Sequence, residues 1–368
     1  MNPKKVICTV TNDLTYDQRM QRICSALADE GYDVTLIGRL RKTSLPLTEK
    51  NYKELRLKCV FNKGKLFYLE YNIRLFVFLI NHRFDIVNSN DLDTLVACKL
   101  ASELKRKPLV FDAHELFTEV PEVINRPIVR KVWLFVEAWG LRKLKHGYTV
   151  CNSLADYFNQ KYQTRFTAIR NVPYSAKNQI NLALANKLPE GAFMLYQGAL
   201  NKGRGLEMII DIMPELDCKL VICGEGDLSN ELRKRASDLK LNGKVYFLGM
   251  VTPNHLVSIT KRAWLGLNVS ENLGLSYYYS LNNKVFDYIQ AGLPAITNNF
   301  PEYIALNNEY EVLVLCEPEK QALKNCIQYL IKHPEVCNKL RENCVIAREK
   351  LHWDIEKTKL LALYAEIR

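Results

Sequence analysis

Apolar residues recur along the chain in two alternating rhythms. Short runs rich in Val, Ile, Leu and Phe, at residues 6–10, 34–37, 86–88 and 109–111, have the compactness of buried strands. Between them lie longer stretches with apolar positions three and four apart, closing near Glu30 and Lys105, which read as helices. Strand and helix in steady alternation predict a parallel sheet covered on both faces. A second series begins after Pro189, with strands expected over 194–197, 219–223, 245–248, 265–269 and 295–297. Two doubly wound α/β domains follow. Between them RNVPYSAKNQINLALANKLPE (170–190) lacks strand periodicity and holds two prolines, as a linker would. The predicted limits are 1–175 for the first domain, 176–190 for the linker, 191–350 for the second domain, and 351–368 for a closing helix that packs back on the first.

Composition narrows the class without changing this outline. With 368 residues, 48% hydrophobic and 25% charged, the chain suits a globular enzyme with two cores. The apolar run at residues 75–80 is far short of the roughly 20 residues of a membrane span. The start, MNPKKVICTV, passes from two lysines directly into a strand, so no signal peptide is expected and the location reads as cytoplasmic. The 11 cysteines are odd in number and never spaced as CxxC, which argues against a disulfide framework and against a zinc site. Net charge is +11, and residues 1–170 carry 28 Lys and Arg against 18 Asp and Glu. The basic excess thus belongs to the first half, and predicts a polyanionic partner there: nucleic acid, an anionic membrane surface or a phosphorylated substrate. No nucleic-acid-binding module is recognisable, so nucleic acid is not expected.

Ligands of open α/β sheets bind beyond the carboxyl ends of strands, so chemistry is sought in the loops that follow them. TNDLTYDQRMQR (11–22) holds a capping box of Thr15 and Gln18, and places Asn12, Asp13 and Arg19 where they could face a cleft. It has no glycine, unlike a dinucleotide-binding loop. In NSNDLDTL (88–95), Asp91 and Asp93 have the form of a metal-binding pair but stand where a helix cap is favoured; no metal is expected. VFDAHELFTE (110–119) puts His114 just past a strand among carboxylates, a position suited to polar chemistry. KGKLFYLEYNIRLFVFLINHR (63–83) reads as a helix packed on the first sheet with a solvated basic face, or as an interfacial helix on anionic lipid headgroups.

In the second half, YQGALNKGRGLE (196–207) is strand, glycine-rich loop and helix, with Gly198, Lys202, Gly203 and Arg204 placed to approach an oxyanion. ICGEGD (222–227) repeats the geometry with Gly224 and Gly226. SLNNKVFDYIQAGLPAI (280–296) sets Asn283 and Lys284 at a helix start, Asp287 one turn later, and Gly292 and Pro294 at the stop. Together these loops suit a nucleotide diphosphate.

Taken in order, NDLTYDQR, DAHELFTE, GALNKGRGLE, GEGDL with VYFLGMV, and SLNNKVFDYIQAGLPAI resemble the family-4 glycosyltransferases. The last is similar to a branch that reads S-L-P-N-K-x-F-E-Y. The resemblance implies a GT-B fold, two Rossmann-like domains facing across a cleft. It also implies transfer, with retention, of a hexose-type sugar from a UDP- or GDP-linked donor, without further cofactor; the basic, aromatic first half adds the expectation of a glycan or lipid-linked acceptor in surface polysaccharide assembly. It makes His114, Arg204 and Lys284 the catalytic set, with His114 near the transferred sugar and the two cations on the donor phosphates. It gives Asp287 the ribose, and Leu248 and Gly249 the base pocket. Two features depart from the family: Glu271 and Asp287 stand twice as far apart as its paired glutamates, with LSYYYSLN between them, and Ala199 replaces a frequent arginine, for which Lys202 substitutes. Peripheral contact with the inner face of an anionic membrane is a further expectation. The competing readings are a sugar-nucleotide epimerase, an inverting GT-B enzyme, and a non-catalytic nucleic-acid-binding or scaffold protein.

Overall fold

The computed structural model of the chain describes residues 3–175 and 188–367. Most of the linker expected over 176–190 lies outside the described residues. Two compact units are formed, one from Met1–Asn171 with Glu356–Arg368, the other from Val172–Ile355.

The first unit runs β1 (Lys5–Thr9), α1 (Gln18–Asp29), β2 (Asp33–Leu40), β3 (Lys53–Lys58), α2 (Gly64–Asn81), β4 (Ile86–Asn90), α3 (Leu92–Lys105) and β5 (Leu109–Ala113). It continues through α4 (Pro121–Ile124), α5 (Pro127–Leu141), β6 (His146–Thr149), α6 (Asn152–Tyr162) and β7 (Phe166–Ala168). The seven strands pair in parallel in the order β3-β2-β1-β4-β5-β6-β7. Every residue of β4 and β5 is buried, as strands covered on both faces must be. The order reverses between β1 and β4, so the loops leaving these strands diverge and open a crevice above the sheet.

Three local expectations are corrected in this unit. Thr15 and Gln18 form no capping box: α1 begins at Gln18, and Asp17 caps it by accepting from the Met20 N–H at 3.0 Å. Asp17 is fixed in that role because its other oxygen accepts from Asn12 Nδ2 at 2.6 Å. Asp91 occupies the cap position of α3 without a side-chain cap bond, since its carboxylate turns to the neighbouring strand. The outer face of α2 is not a solvated basic face: Phe67, Tyr71, Leu75 and Leu79 are buried, and the opposite side presents Leu66, Leu69, Ile73 and Val77 to solvent.

The second unit runs β8 (Phe193–Gln197), α7 (Leu206–Ile212), β9 (Lys219–Cys223), α8 (Ser229–Asp238), β10 (Val245–Gly249), α9 (Pro253–Arg262), β11 (Leu265–Asn268) and α10 (Leu275–Tyr278). Then come α11 (Asn283–Ala291), β12 (Ala295–Asn298), α12 (Pro301–Tyr310), β13 (Leu313–Cys316), α13 (Lys320–Lys332), α14 (Pro334–Ala347) and α15 (Trp353–Ala365). Its sheet is also all parallel, β10-β9-β8-β11-β12-β13, and reverses between β8 and β11. Met194, Ile209, Leu220, Leu267 and Ile296 belong to one core cluster. α11 is seated by Tyr288, whose ring lies where a Cβ on Gly266 would be and whose hydroxyl donates towards the carbonyls of Leu195 and Leu267, both at 3.2 Å. Gly292, in the left-handed region, ends that helix.

From Glu356 onward α15 belongs to the first unit. There the Tyr364 hydroxyl accepts from Asn88 Nδ2 at 2.7 Å, its ring meets Tyr32 edge to face, and the Ile367 carbonyl accepts from Lys4 Nζ at 3.0 Å.

Candidate functional site

In the first unit the crevice at β1 and β4 is lined by what leaves β1, β4 and β5. Register sets Asn90 beside Asp112, so Asp91 and His114 emerge together. The Asp91 carboxylate accepts from the His114 backbone N–H at 2.8 Å, and Asp93 accepts from the Thr11 hydroxyl. The His114 ring lies between two carboxylates, with Nε2 3.2 Å from Asp112 Oδ2 and Nδ1 3.7 Å from Asp91 Oδ2. The first is a hydrogen bond; the second is too long to be one.

Burial works against charging this ring, but Asp112 and Asp91 outweigh it and push the imidazole up to about 9. Burial would raise Asp112 too, yet the Arg19 guanidinium and His114 hold it down to about 2. Asp91 and Asp93 are pushed up to about 6, in each case chiefly by burial. The two carboxylate neighbours of His114 therefore favour the charged imidazole at neutral pH, a form that suits a hydrogen-bond donor rather than a base.

The expected cleft residues do different work. Arg19 is buried, grips Asp112 with Nε at 3.0 Å and Nη2 at 2.8 Å, and donates from Nη1 to the Ile169 carbonyl at 3.0 Å. It positions the carboxylate behind His114 and does not face a ligand. Asn12 is engaged within its loop, accepting from the Leu14 N–H at 2.8 Å and donating to Asp17. Asp13 accepts from the Ser44 hydroxyl at 3.1 Å. Short polar side chains beside a left-handed Leu14 (φ 69°) close the turn on themselves, which is why these two are not turned outward.

In the second unit the loops after β8, β9 and β11 meet at the other reversal. Gly198 and Gly224 face each other so closely that a Cβ on Gly224 would stand 1.9 Å from the Gly198 carbonyl oxygen, and Gly224 lies at φ 140°. No other residue fits there. The Gly224 N–H donates to the Gly249 carbonyl at 2.8 Å, bringing Leu248 and Gly249 at the end of β10 to the same edge. Gly226 packs against Leu200 and Asn201, and Gly203 against Leu273 and Tyr277.

Two cations stand over this edge. Lys284, in the first turn of α11, has Nζ 3.9 Å from the centroid of the Tyr196 ring. Arg204 donates to Asn282 Oδ1 at 3.3 Å and lies over the Tyr277 ring at 5.1 Å. Among the described residues neither is in an ion pair. Burial, then the charge of Arg204, pushes the Lys284 ammonium well below its ordinary range, with Asp287 opposing. Asp287 accepts from Gln197 Nε2 at 2.9 Å, and Gln197 is itself held by the Thr260 hydroxyl at 3.0 Å. Glu271 is half-buried, with its N–H on the Gly203 carbonyl at 2.9 Å, and is raised first by burial and then by Glu207. Asn283 and Lys202 are exposed.

The structure therefore gathers Gly198, Gly203, Arg204, Glu271, Asn282, Lys284 and Asp287 in one unit, and His114 with Asp91 and Asp112 in the other. Sequence reasoning missed Gln197 and Tyr277. Gln197 was signalled as the polar last residue of an apolar strand, FMLYQ; Tyr277 lies in the segment that departs from the family pattern.

Residues 18–173 match the family description Glycosyltransferase Family 4, and residues 183–345 match Glycosyl transferases group 1. A segment of 94 residues, 25% of this chain, is 32% identical to alpha-monoglucosyldiacylglycerol synthase of Streptococcus pneumoniae and spans 20% of that relative's length. Among solved structures, sucrose-phosphate synthase from Thermosynechococcus elongatus superposes with TM-score 0.81 at 16% identity, covering 99% of this chain and 98% of that one. Anabaena HepE in complex with UDP and glucose gives 0.79 at 15%, covering 98% and 99%. At such identities the likeness is one of fold: two parallel-sheet α/β domains of the GT-B kind.

Proposed function

We propose, from the premise that both halves of the chain are glycosyltransferase domains, that it moves a hexose-type sugar from a nucleoside-diphosphate donor to a glycan or lipid-linked acceptor with retention. The observation that carries this is the pair of cations Arg204 and Lys284, neither in an ion pair among the described residues, which stand at the start of α11. Two such charges side by side raise each other's cost, and a diphosphate relieves it. The helix terminus adds unpaired N–H groups and a favourable dipole. The solved HepE complexes with UDP and UDP-glucose support a nucleotide-sugar donor, UDP-linked in the first instance.

In the proposed reaction the bond from the anomeric carbon to the β-phosphate oxygen breaks and its electron pair stays on that oxygen. The acceptor oxygen bonds to the same face of the carbon, and its proton passes to the departing phosphate. Charge grows on the phosphate as the bond lengthens, so Arg204 and Lys284 hold the transition state more tightly than the ground state. Asp287, oriented by Gln197, is assigned to the ribose hydroxyls; His114 is assigned to the transferred sugar as a charged donor. Assembly of a surface polysaccharide is the proposed setting.

A panel of sugar nucleotides scored for slow hydrolysis without acceptor identifies the donor, and NMR of the anomeric signal in the product then separates retention from inversion or epimerisation. Arg204→Ala and Lys284→Ala are each expected to lower turnover of the selected donor by 100-fold or more, on the order of 3 kcal/mol of transition-state stabilisation. Unchanged turnover in both would overturn the assignment.

A further inference from the structure

One cation of the first unit has no part in the groups described so far. Arg39 is the penultimate residue of β2, at the carboxyl end of the strand. Its N–H donates to the Asn12 carbonyl at 2.8 Å, which fixes its backbone to the loop leaving β1. Gly38 tightens the same junction, since a Cβ there would stand 2.6 Å from that carbonyl oxygen. The Arg39 guanidinium lies over the Phe67 ring of α2 at 4.2 Å, and its Nη1 donates to the Asn62 carbonyl at 3.1 Å. Its Nε is buried and has no hydrogen-bond partner. The buried Arg19, by contrast, has its Nε on Asp112 at 3.0 Å.

The charge of Arg39 is unanswered by the chain. Burial, then the charge of Arg41, pushes its ionisation down. Lys63 follows Asn62 directly and opens α2, whose first turn has neither a side-chain cap nor an acidic residue. Among the described residues none of Arg39, Arg41 and Lys63 is in an ion pair. The carboxylates of the surrounding loops are engaged elsewhere. Asp13 accepts from the Ser44 hydroxyl at 3.1 Å, and Glu70 accepts from the N–H groups of Val60 and Phe61 and pairs with Arg74. A partly desolvated cation beside a second cation is costly without an anion. The guanidinium fork matches two oxygens of a phosphate, and the ammonium adds a point charge. Three cations call for more negative charge than one carboxylate brings, which selects the phosphate.

The place in the fold says which phosphate. The donor diphosphate is assigned above to Arg204 and Lys284 of the second unit, whereas Arg39 borders the crevice of the first. Phe67 packs on Tyr68 at 5.2 Å, Tyr68 meets Trp133 edge to face at 5.5 Å, and Trp133 meets Phe117 at 4.8 Å, three residues beyond His114. Tyr68, Trp133 and Phe117 are half-buried rings on the inner sides of their elements. Asn72 of α2 donates to the Asp93 carbonyl at 2.7 Å and holds the helix against the loop after β4. A row of rings with a polar group at each end suits a saccharide. We propose that Arg39, with Arg41 and Lys63 beside it, holds a phosphate group of the sugar acceptor, which is therefore a phosphorylated saccharide. Its sugar lies along the rings towards His114. This rests on the sugar-transfer reading and adds the chemistry of the acceptor to it. A sugar phosphate and a lipid-linked sugar diphosphate present the same oxygens to the fork.

The test is calorimetric titration of the full chain, with UDP present to occupy the second unit, by free hexoses, their 1-phosphates and a short-chain prenyl-diphosphate-linked hexose. The phosphorylated probes are expected to bind and the free hexoses are not. R39Q is expected to weaken that binding about tenfold or more, the range of charge-assisted hydrogen bonds. R39K is expected to recover only part of the loss, because an ammonium lacks the fork. Thermal stabilisation of R39Q by UDP checks its folding, and R41Q/K63Q, at two exposed positions, is expected to repeat the loss without disturbing a packed side chain. Tighter binding of the prenyl-linked probe than of the 1-phosphates assigns the phosphate to a lipid-linked acceptor; equal binding assigns it to a soluble sugar phosphate. Absence of binding by every phosphorylated probe, free hexoses that bind as tightly as their phosphates, or undiminished binding by both R39Q and R41Q/K63Q would each overturn the proposal. Failure of the donor reading shows itself separately, as a chain that neither binds UDP nor hydrolyses any sugar nucleotide.

Discussion

Lys284 carries a half-buried ammonium beside a guanidinium, with an aromatic face under it and no carboxylate in contact. Its ionisation is pushed down by burial and by the Arg204 charge, and an arriving diphosphate would restore it. Binding of a nucleoside diphosphate is therefore expected to take up protons and to strengthen as pH falls through the depressed Lys284 ionisation. Calorimetry in buffers of different ionisation enthalpy measures the uptake, and Lys284→Arg, which keeps its charge, is expected to remove it. His114 has the opposite sense. Its imidazole is raised from the ordinary 6.5 to about 9, so the stability it contributes is complete below about 6.5 and is lost as pH rises through about 9. Asp112, lowered to about 2 from 3.8, contributes above its ordinary value and loses that contribution as pH falls through about 2. Arg19→Ala would leave Asp112 buried without its bidentate partner and is expected to cost roughly 3–5 kcal/mol in a urea titration. Arg19→Lys is expected to recover little of it, because a single ammonium cannot reproduce the fork.

The elements show what a sequence makes legible. Strands β1, β4, β5, β8, β9, β11 and β12 announce themselves as apolar runs because both their faces are buried, and the part-buried β2 and β10 are apolar runs as well. Strands β3, β6, β7 and β13 are shorter or flanked by charge, as in KELRLK and HGYT, and their pairing comes from neighbours rather than from their own pattern. The candidate site loops are legible for a related reason: a polar residue at the carboxyl end of an apolar strand, such as Asp112 or Gln197, marks the edge where the proposed ligand would bind. Side-chain direction is not legible. Arg19 reads as facing a cleft and Asp91 as a helix cap, yet each turns to a partner about 20 or more residues away. α10 illustrates the limit most clearly. It fills the doubled interval between Glu271 and Asp287 and lays the Tyr277 ring on Arg204. Tyr277→Ala is expected to lower kcat/KM for the donor by about 3- to 30-fold, the range of a partly desolvated cation–π contact, while Tyr277→Phe stays near wild type. Gly224→Ala, with its Cβ inside the Gly198 carbonyl, is expected to abolish thermal stabilisation of the chain by UDP.

Across the whole chain, the charge bias and the topology agree on a division of labour. The basic excess lies within the first 170 residues, while Arg204 and Lys284, the cations assigned above to the donor phosphates, belong to the second unit. Yet the first unit is not finished by its own contiguous stretch of sequence. Leu360, Tyr364 and Ile367, all buried, belong to it, and Tyr364 bonds Asn88. Removing the residues from Glu356 onward is therefore expected to destabilise the first unit more than the second. Hydrogen exchange of β1 and β4 compared with β8 and β11 would read the difference.

During synthesis this connectivity imposes a wait. The first unit leaves the ribosome with Tyr32 and Asn88 still lacking their partner, and Tyr364 is made only after the intervening Val172–Ile355 has been translated. At about 5–20 residues per second that interval is on the order of ten to forty seconds. Throughout it the nascent first unit stays open and in reach of chaperones. The last helix then closes it, so that the first unit is completed only after the second has been made.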